Sequence, residues 1–401
     1  VPFKKFSFGP ATLVAAAFIG PGTVVTASLA GANFGYALLW ALVFSVLATM
    51  ILQEMAARLG VITQAGLGEA IRTQITHPLL RGLASALVIA AIVIGNSVYQ
   101  GGNLSGASMG VEGIVGERAA WLPLLLGVIA GALLWRGSYA LLEKVLIALV
   151  LVMSLAFVAT LLLVQPDWSA FFSGLLMPQM PTGSILTVVA LIGTTVVPYN
   201  LFLHAASAAK KWRHSHELAQ ARTDLFVSIP LGGLISIAIV STAAAAFFGT
   251  SITLEGAADL SASLQPLAGE SATWLMATGL FAAGLSSSLT APLASAYALS
   301  GILGRGGQLT DWRFRLTWMA IIVIGVVIAS LQLRPVSVIW FAQVANGLLL
   351  PIMALFLLWA CNHQMMGEFR NSLRQNLLAG AVVVVAMGLG ARSIGAALQW
   401  W

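Results

Sequence analysis

Charge is what this sequence has least of. Asp, Glu, Lys and Arg make up 8% of its 401 residues, against roughly 25% in a soluble globular domain. A chain so poor in charge is not built to face water, and its mean hydropathy of +0.95 says the same. Cysteine is nearly absent: a single Cys361 excludes a disulfide framework and a thiolate cluster. No low-complexity tail or polar domain interrupts the chain, and the opening VPFKKFSFGP is too short for a cleaved leader. These absences exclude a soluble enzyme, and no catalytic residue is expected.

What the sequence has instead is apolar length, 59% of it. About 20 such residues span a bilayer. Eleven segments qualify, at about 10–32, 36–57, 83–104, 121–135, 141–164, 184–208, 225–248, 272–303, 316–333, 336–360 and 376–398. Turn and breaker residues such as Gly60, Pro78, Gly137, Pro166 and Pro335 separate them. The expected fold is an all-α membrane protein of about eleven transmembrane helices in one domain, 1–401.

The basic residues orient it. With the N-terminus in the cytoplasm, 16 of the 19 Lys and Arg fall on that side, leaving only Arg118, Arg334 and Arg392 opposite. This is a positive-inside bias, so the net charge of +6 is a topology device. It predicts attraction to anionic lipid rather than nucleic acid. The expected setting is a bacterial cytoplasmic (inner) membrane, with the lipid bilayer as partner and neither a nucleic acid nor a soluble protein partner.

Two spans are interrupted near their middles. The first carries Gly20-Pro21-Gly22-Thr23; the sixth carries Gly193-Thr194-Thr195 and then Pro198-Tyr199-Asn200. Proline removes a backbone donor and glycine tolerates an unwound chain. Exposed backbone at membrane depth must line protein or a water-filled cavity. Interruptions at matching positions of two halves point to the substrate site of an inverted-repeat transporter.

At these breaks the sequence resembles the Nramp family of proton-coupled divalent-metal transporters. The resemblance runs through GPATLVAAAFIGPGT, GANFGYALLWALVFSVLATMILQEMAARLGV, VPYNLFLHA, AAGLSSSLTAPLASAYALSGIL, FAQV and MGEF. It implies the five-plus-five inverted repeat of amino-acid transporters, with repeats at 1–165 and 180–361 and an extra helix at 376–398. It implies broken helices one and six, and an N-terminus inside.

The departures fall on the family's metal ligands. Its Asp-Pro-Gly-Asn is here Gly20, Pro21, Gly22 and Thr23; its Met-Pro-His is Val197, Pro198 and Tyr199, with Thr194 at the family's alanine carbonyl. The acidic pair of its third helix aligns with Asn96 and Tyr99, while Gln343 and His204 are retained. Every acid of the chain reads as a helix-end or loop residue, Glu54 lying closest to a span interior with Arg58 one turn on. No metal site of the family type is therefore expected, since a bare divalent ion wants carboxylates and a transition metal wants imidazole or sulfur.

Without the Asp, two half-helix N-termini remain, and such ends favour anions. The expectation is an alternating-access carrier of a small, bicarbonate-sized anion or a neutral polar solute. Its binding residues are Gly20, Pro21, Gly22, Thr23, Thr194, Thr195, Val197, Tyr199, Asn200 and Gln343. The alternatives are a divalent-metal transporter, above all of hydrated magnesium, which keeps several waters, and a non-transporting sensor or scaffold. No cofactor is expected. Ala283, Ser286 and Ser287 resemble the sodium site of amino-acid transporters, and His204 is the titratable group for a proton. The coupling ion is thus Na+ or H+.

Overall fold

The structure is a computed structural model and describes residues 9–115, 120–164, 166–250, 254, 259–260, 269–305, 308–331 and 333–397. Arg118, Glu117 and Glu255 lie outside the described residues. Helices α1 (Pro10–Phe18) and α2 (Pro21–Phe34) form the first span, bent by 51°. Then come α3 (Leu39–Thr63) and a short amphipathic α4 (Leu67–Gln74). Next, α5 (Pro78–Val88) runs through a π-helical stretch, Ile89–Ile94, into α6 (Gly95–Val115). Helices α7 (Leu122–Trp135), α8 (Tyr139–Val164) and α9 (Trp168–Leu176) close the first half.

The second half begins with α10 (Ile185–Thr195) and α11 (Pro198–Lys211), the other broken span. It continues with α12 (Leu218–Phe247), α13 (Glu270–Ile302), α14 (Trp312–Ser330), α15 (Pro335–Asn362) and α16 (Leu373–Ala397). Among the described residues, seven spans are long and apolar enough to cross a membrane alone, and the bent α1–α2 pair makes an eighth. Three shorter apolar helices, within α5, α7 and α8, complete the eleven. The protein is an all-α integral membrane protein with its first and sixth spans broken.

Helix is the only answer this sequence has in lipid, where every backbone group must be satisfied within its own segment. Proline stands in the first turn of α1, α2, α5, α7, α11 and α15, where its missing N–H costs nothing. The two broken spans form the centre: all nine residues of α1 are buried, as are all but one of the described side chains of α11 up to Ala209. Helices α7, α14 and α16 stand outermost and turn Leu124, Val128, Val323, Val327, Leu377 and Val384 outwards.

Small residues let the central helices touch backbone to backbone. A Cβ on Gly193 of α10 would collide with the Gln343 carbonyl and the Gly347 amide of α15, and one on Gly347 would meet the Val189 carbonyl. Gly106 of α6 likewise accommodates the Pro21 ring. Such close approach is how membrane helices associate without a hydrophobic driving force.

Three expectations change in detail. The unwound stretches are two residues each, Ile19–Gly20 and Val196–Val197; Pro21–Thr23 already belong to α2, and Thr194–Thr195 still belong to α10. The third span starts earlier and runs on to Val115 through its π-helical turn. Asp224 is not a solvated helix-end acid. It is 2% exposed and accepts the Gly9 and Ala11 amides at 3.0 and 2.9 Å, capping α1 from across the bundle.

Candidate functional site

Both breaks follow one backbone course. Ile19 ends α1 at φ −83°, ψ 66°, and Gly20 is extended ahead of Pro21. Val196 ends α10 at φ −91°, ψ 67°, and Val197 is extended ahead of Pro198. Neither second residue needs a glycine's dihedrals. Gly20 is small for another reason: a Cβ there would collide with the Ser287 hydroxyl of α13 and stand 3.5 Å from the Tyr99 hydroxyl of α6.

Around the breaks, α15 is the clamp. The Gln343 amide lies against Gly22 of the first break, and the Gln343 carbonyl lies against Gly193 of the second. Tyr99 stands beside Tyr199 with ring centroids 5.6 Å apart, and its hydroxyl faces both Tyr199 and Gln343. Gly20, Pro21, Gly22, Thr23, Tyr199, Asn200 and Gln343 are thereby brought into one neighbourhood, and all are buried.

The hydroxyls of the site are spent on carbonyls. Ser286 donates to Ala16 O at 2.9 Å, Ser287 to Ala17 O at 3.2 Å, and Thr23 to Phe18 O. These bonds satisfy the open C-terminal end of α1. On the other side, Thr194 and Thr195 both donate to Leu191 O, at 2.7 and 3.3 Å. Val197 offers only a buried apolar side chain. Ala283 sits fully buried one turn before Ser286.

Other polar atoms are short of partners: both amide atoms of Asn200 and the hydroxyl of Thr26, one turn along α2 from Gly22, have none, and the Tyr199 hydroxyl and Gln343 Nε2 have only the Tyr99 hydroxyl facing them. Thr26, Tyr199, Asn200 and Gln343 are at most 1% exposed. Leaving a buried polar group unpaired costs about 1–3 kcal/mol, so a fold that gathers several of them is built for a polar guest. His204 stands one turn beyond Asn200, with Nδ1 3.0 Å from Gln53 Oε1 and Nε2 unpartnered.

Carboxylates are missing from this centre. Asn96 donates to Ser295 Oγ at 2.8 Å and Ala291 O at 3.3 Å, and Gln100 to Ser288 O at 3.2 Å, so an uncharged ladder joins α6 to α13. Among the described residues, no group of three or more His, Cys, Asp or Glu is placed to hold a metal ion. Thr26 was not legible as a site residue, and Tyr99 only as a position where the resemblance fails. The spacing of Asn96, Tyr99, Gln100 and Asn103 along one helix face was the available signal.

A membrane-embedded helical bundle whose first and sixth spans break beside one cluster of buried polar side chains is the architecture of a transporter. Within that class the chain belongs to the Nramp family: the family model described as natural resistance-associated macrophage protein-like matches residues 11–395. The divalent metal cation transporter MntH of Yersinia pestis (strain Pestoides F) is 29% identical over 402 residues, covering 97% of this chain and 95% of that protein. MntH of Burkholderia ambifaria is 29% identical, covering 98% and 89%. The fold is that of the Eremococcus coleocola manganese transporter solved in complex with an aromatic bis-isothiourea substituted compound. That likeness has a TM-score of 0.78 at 23% identity, covering 97% of this chain and 86% of that one. It extends at 0.62 and 15% identity to MHP1, a nucleobase-cation-symport-1 family transporter with bromovinylhydantoin bound, covering 98% and 94%.

These relatives overturn the expectation of a small anion or neutral solute, because the full-length relatives are named for divalent metal cations. The geometry supplies the physical reason. Proline at the first position of α2 and α11 has no N–H, and the Thr23 and Asn200 amides turn back to Gly20 O and Val197 O, each at 3.0 Å. That leaves only the Gly22 and Tyr199 amides of the two first turns without such a bond. The anion cradle expected from two helix N-termini is largely consumed by the helices themselves.

Proposed function

We propose that this protein carries a divalent metal ion across the membrane by alternating access, and that the ion travels with much of its water shell, as magnesium does. Membership of a family whose relatives are named for divalent cations supports the cargo. The buried polar atoms beside the breaks support its hydrated form. Asn200 and Thr26 offer neutral polar atoms without partners, Gln343 and Tyr199 offer atoms faced only by the Tyr99 hydroxyl, and these suit the water shell of an ion better than the bare ion. A stripped double charge in a site with no carboxylate would be poorly compensated, whereas Mg2+ gives up its waters reluctantly and keeps several when bound.

Under this reading the basic face lies in the cytoplasm of a bacterial inner membrane, following the positive-inside bias. The test is uptake of Mg2+ and Mn2+ into proteoliposomes, with and without imposed Na+ and pH gradients. Saturable Mg2+ flux that falls at least tenfold in Asn200→Leu supports the proposal, and the gradient that accelerates it names the coupling ion. Absence of flux for both metals from correctly inserted protein refutes it.

A further inference from the structure

A second polar site lies away from the breaks, on the outer wall of the bundle. Helix α5 and the end of α4 stand beside the last turns of α15, and the groove between them encloses about 780 Å³. Its long walls are apolar: Leu80, Leu83 and Leu87 on one side, Ile352, Leu355 and Phe356 on the other. Leu80, Leu83 and Leu355 are 56%, 61% and 46% exposed, so none of the described residues covers them.

One end of the groove is different. Gln74, Thr76, His77 and Trp359 line it, and Gln74 is 8% exposed with neither amide atom hydrogen-bonded. A buried carboxamide lacking all its partners is costly in an apolar wall. It needs a ligand that is polar at one end only.

Position says which end faces water. Helix α5 starts at the molecule's basic face, on the same side as the start of α1, and Leu87 and Ile352 lie deeper along the spans. From His77 to Leu87 is ten residues, or about 15 Å of helix, which is one leaflet of a hydrocarbon core about 30 Å thick. Exposed Arg81 follows His77 by one turn, and Trp359 is 38% exposed, as expected of an aromatic at the headgroup level.

We propose that this groove holds a resident anionic phospholipid. Its acyl chain lies along Leu83, Leu87 and Ile352, its ester region bonds the Gln74 amide, and its phosphate pairs with Arg81. Polarity at one end, apolar walls one leaflet long and an exposed arginine one turn along α5 from the lining His77 match that molecule. A neutral lipid would fill the walls and leave the arginine unmatched.

The experiment is native mass spectrometry of the purified protein titrated with phosphatidylglycerol or phosphatidylcholine, alongside tryptophan quenching by brominated phosphatidylglycerol. Wild-type protein retains at least one phosphatidylglycerol under activation that strips phosphatidylcholine. Gln74→Leu and Arg81→Gln each weaken retention about tenfold, while Val323→Gln, in the separate groove between α7 and α14, leaves it unchanged. Quenching of wild-type protein is reduced in Trp359→Phe, a measurement that does not depend on the folding of the Gln74 variant. Equal retention of the two lipids, or quenching indifferent to Trp359, overturns the proposal. Neither readout uses transport, so the result stands apart from the identity of the cargo.

Discussion

The two breaks share one backbone path and differ in what they leave unsatisfied. At the first, the Ala16, Ala17 and Phe18 carbonyls are each capped by a hydroxyl, from Ser286, Ser287 and Thr23. At the second, the threonine hydroxyls cap a single carbonyl, Leu191 O, while the Asn200 amide has no partner and the Tyr199 hydroxyl meets only Tyr99. The first break is a closed joint, held to α13; the second presents binding capacity. Under the proposed function, the cargo is gripped from the sixth span and the change of shape comes from loosening the first.

The largest effect is expected where the breaks are held together. Gly193 touches the backbone of α15, and backbone cannot rotate aside. Gly193→Ala should push α10 off α15, costing about 3 kcal/mol or more by overpacking. The check is monodispersity and thermal unfolding in detergent. Normal melting would mean that the α10–α15 contact is looser than described.

The joint at the first break can be tested from its far end. Asp224 caps α1 through the Gly9 and Ala11 amides, with Thr12 Oγ1 at 3.4 Å. Asp224→Ala removes that cap at a cost of about 2 kcal/mol, and α1 should become accessible from the basic face. Labelling of a cysteine introduced at Thr12, in a Cys361→Ser background, should accelerate severalfold. Unchanged labelling would show that α1 is held elsewhere, for instance by its hydroxyl caps.

Asn200 tests the other side of the comparison. Replacing it with Leu removes two unpartnered buried atoms, so the protein should melt at the same temperature or higher, by about 1 kcal/mol, while metal uptake is lost. A structural asparagine would give the opposite pairing, lower melting with uptake in proportion. Measuring both on one preparation decides between them.

The fold was legible because lipid leaves few choices. Apolar runs set eight of eleven spans to within four residues at each end, the second running six residues further and the seventh beginning seven earlier than expected, and Pro21 and Pro198 marked both breaks. The third span escaped because Pro78 reads as a breaker and Arg81 as a loop charge, which hid the start of a helix. At the site, the residues of the breaks were readable, but the direction of their hydrogen bonds was not. Thr23 and Thr194 look like substrate donors in a sequence and Ser286 like a ligand of a coupling ion, and only coordinates reveal that they cap their own neighbourhood's carbonyls. The same blindness made two helix N-termini look like an anion site. Asp224 was hidden for the complementary reason: its partners lie 215 and 213 residues away in the chain.

The smallest effect concerns Glu69, which lies outside the spans in the first turn of α4. Its carboxylate is half-buried against Gly66 and Gly301 at the basic face. Burial raises its pKa above the ordinary 4.5, although backbone amides and the charges of Arg72 and Lys210 pull the other way. A raised value means that the folded protein binds this proton more tightly than the unfolded chain does. Stability therefore declines as pH rises through the window between the ordinary and the raised values, and the decline is complete above it. Glu69→Gln should flatten that slope and leave the melting temperature at neutral pH equal or slightly higher. The measurement is thermal unfolding of both proteins across the carboxylate range. If Glu69→Gln instead melts lower at neutral pH, the ionised carboxylate is a net contributor through Arg72 and Lys210, and charge at this face stabilises where the neutral centre could not have tolerated it.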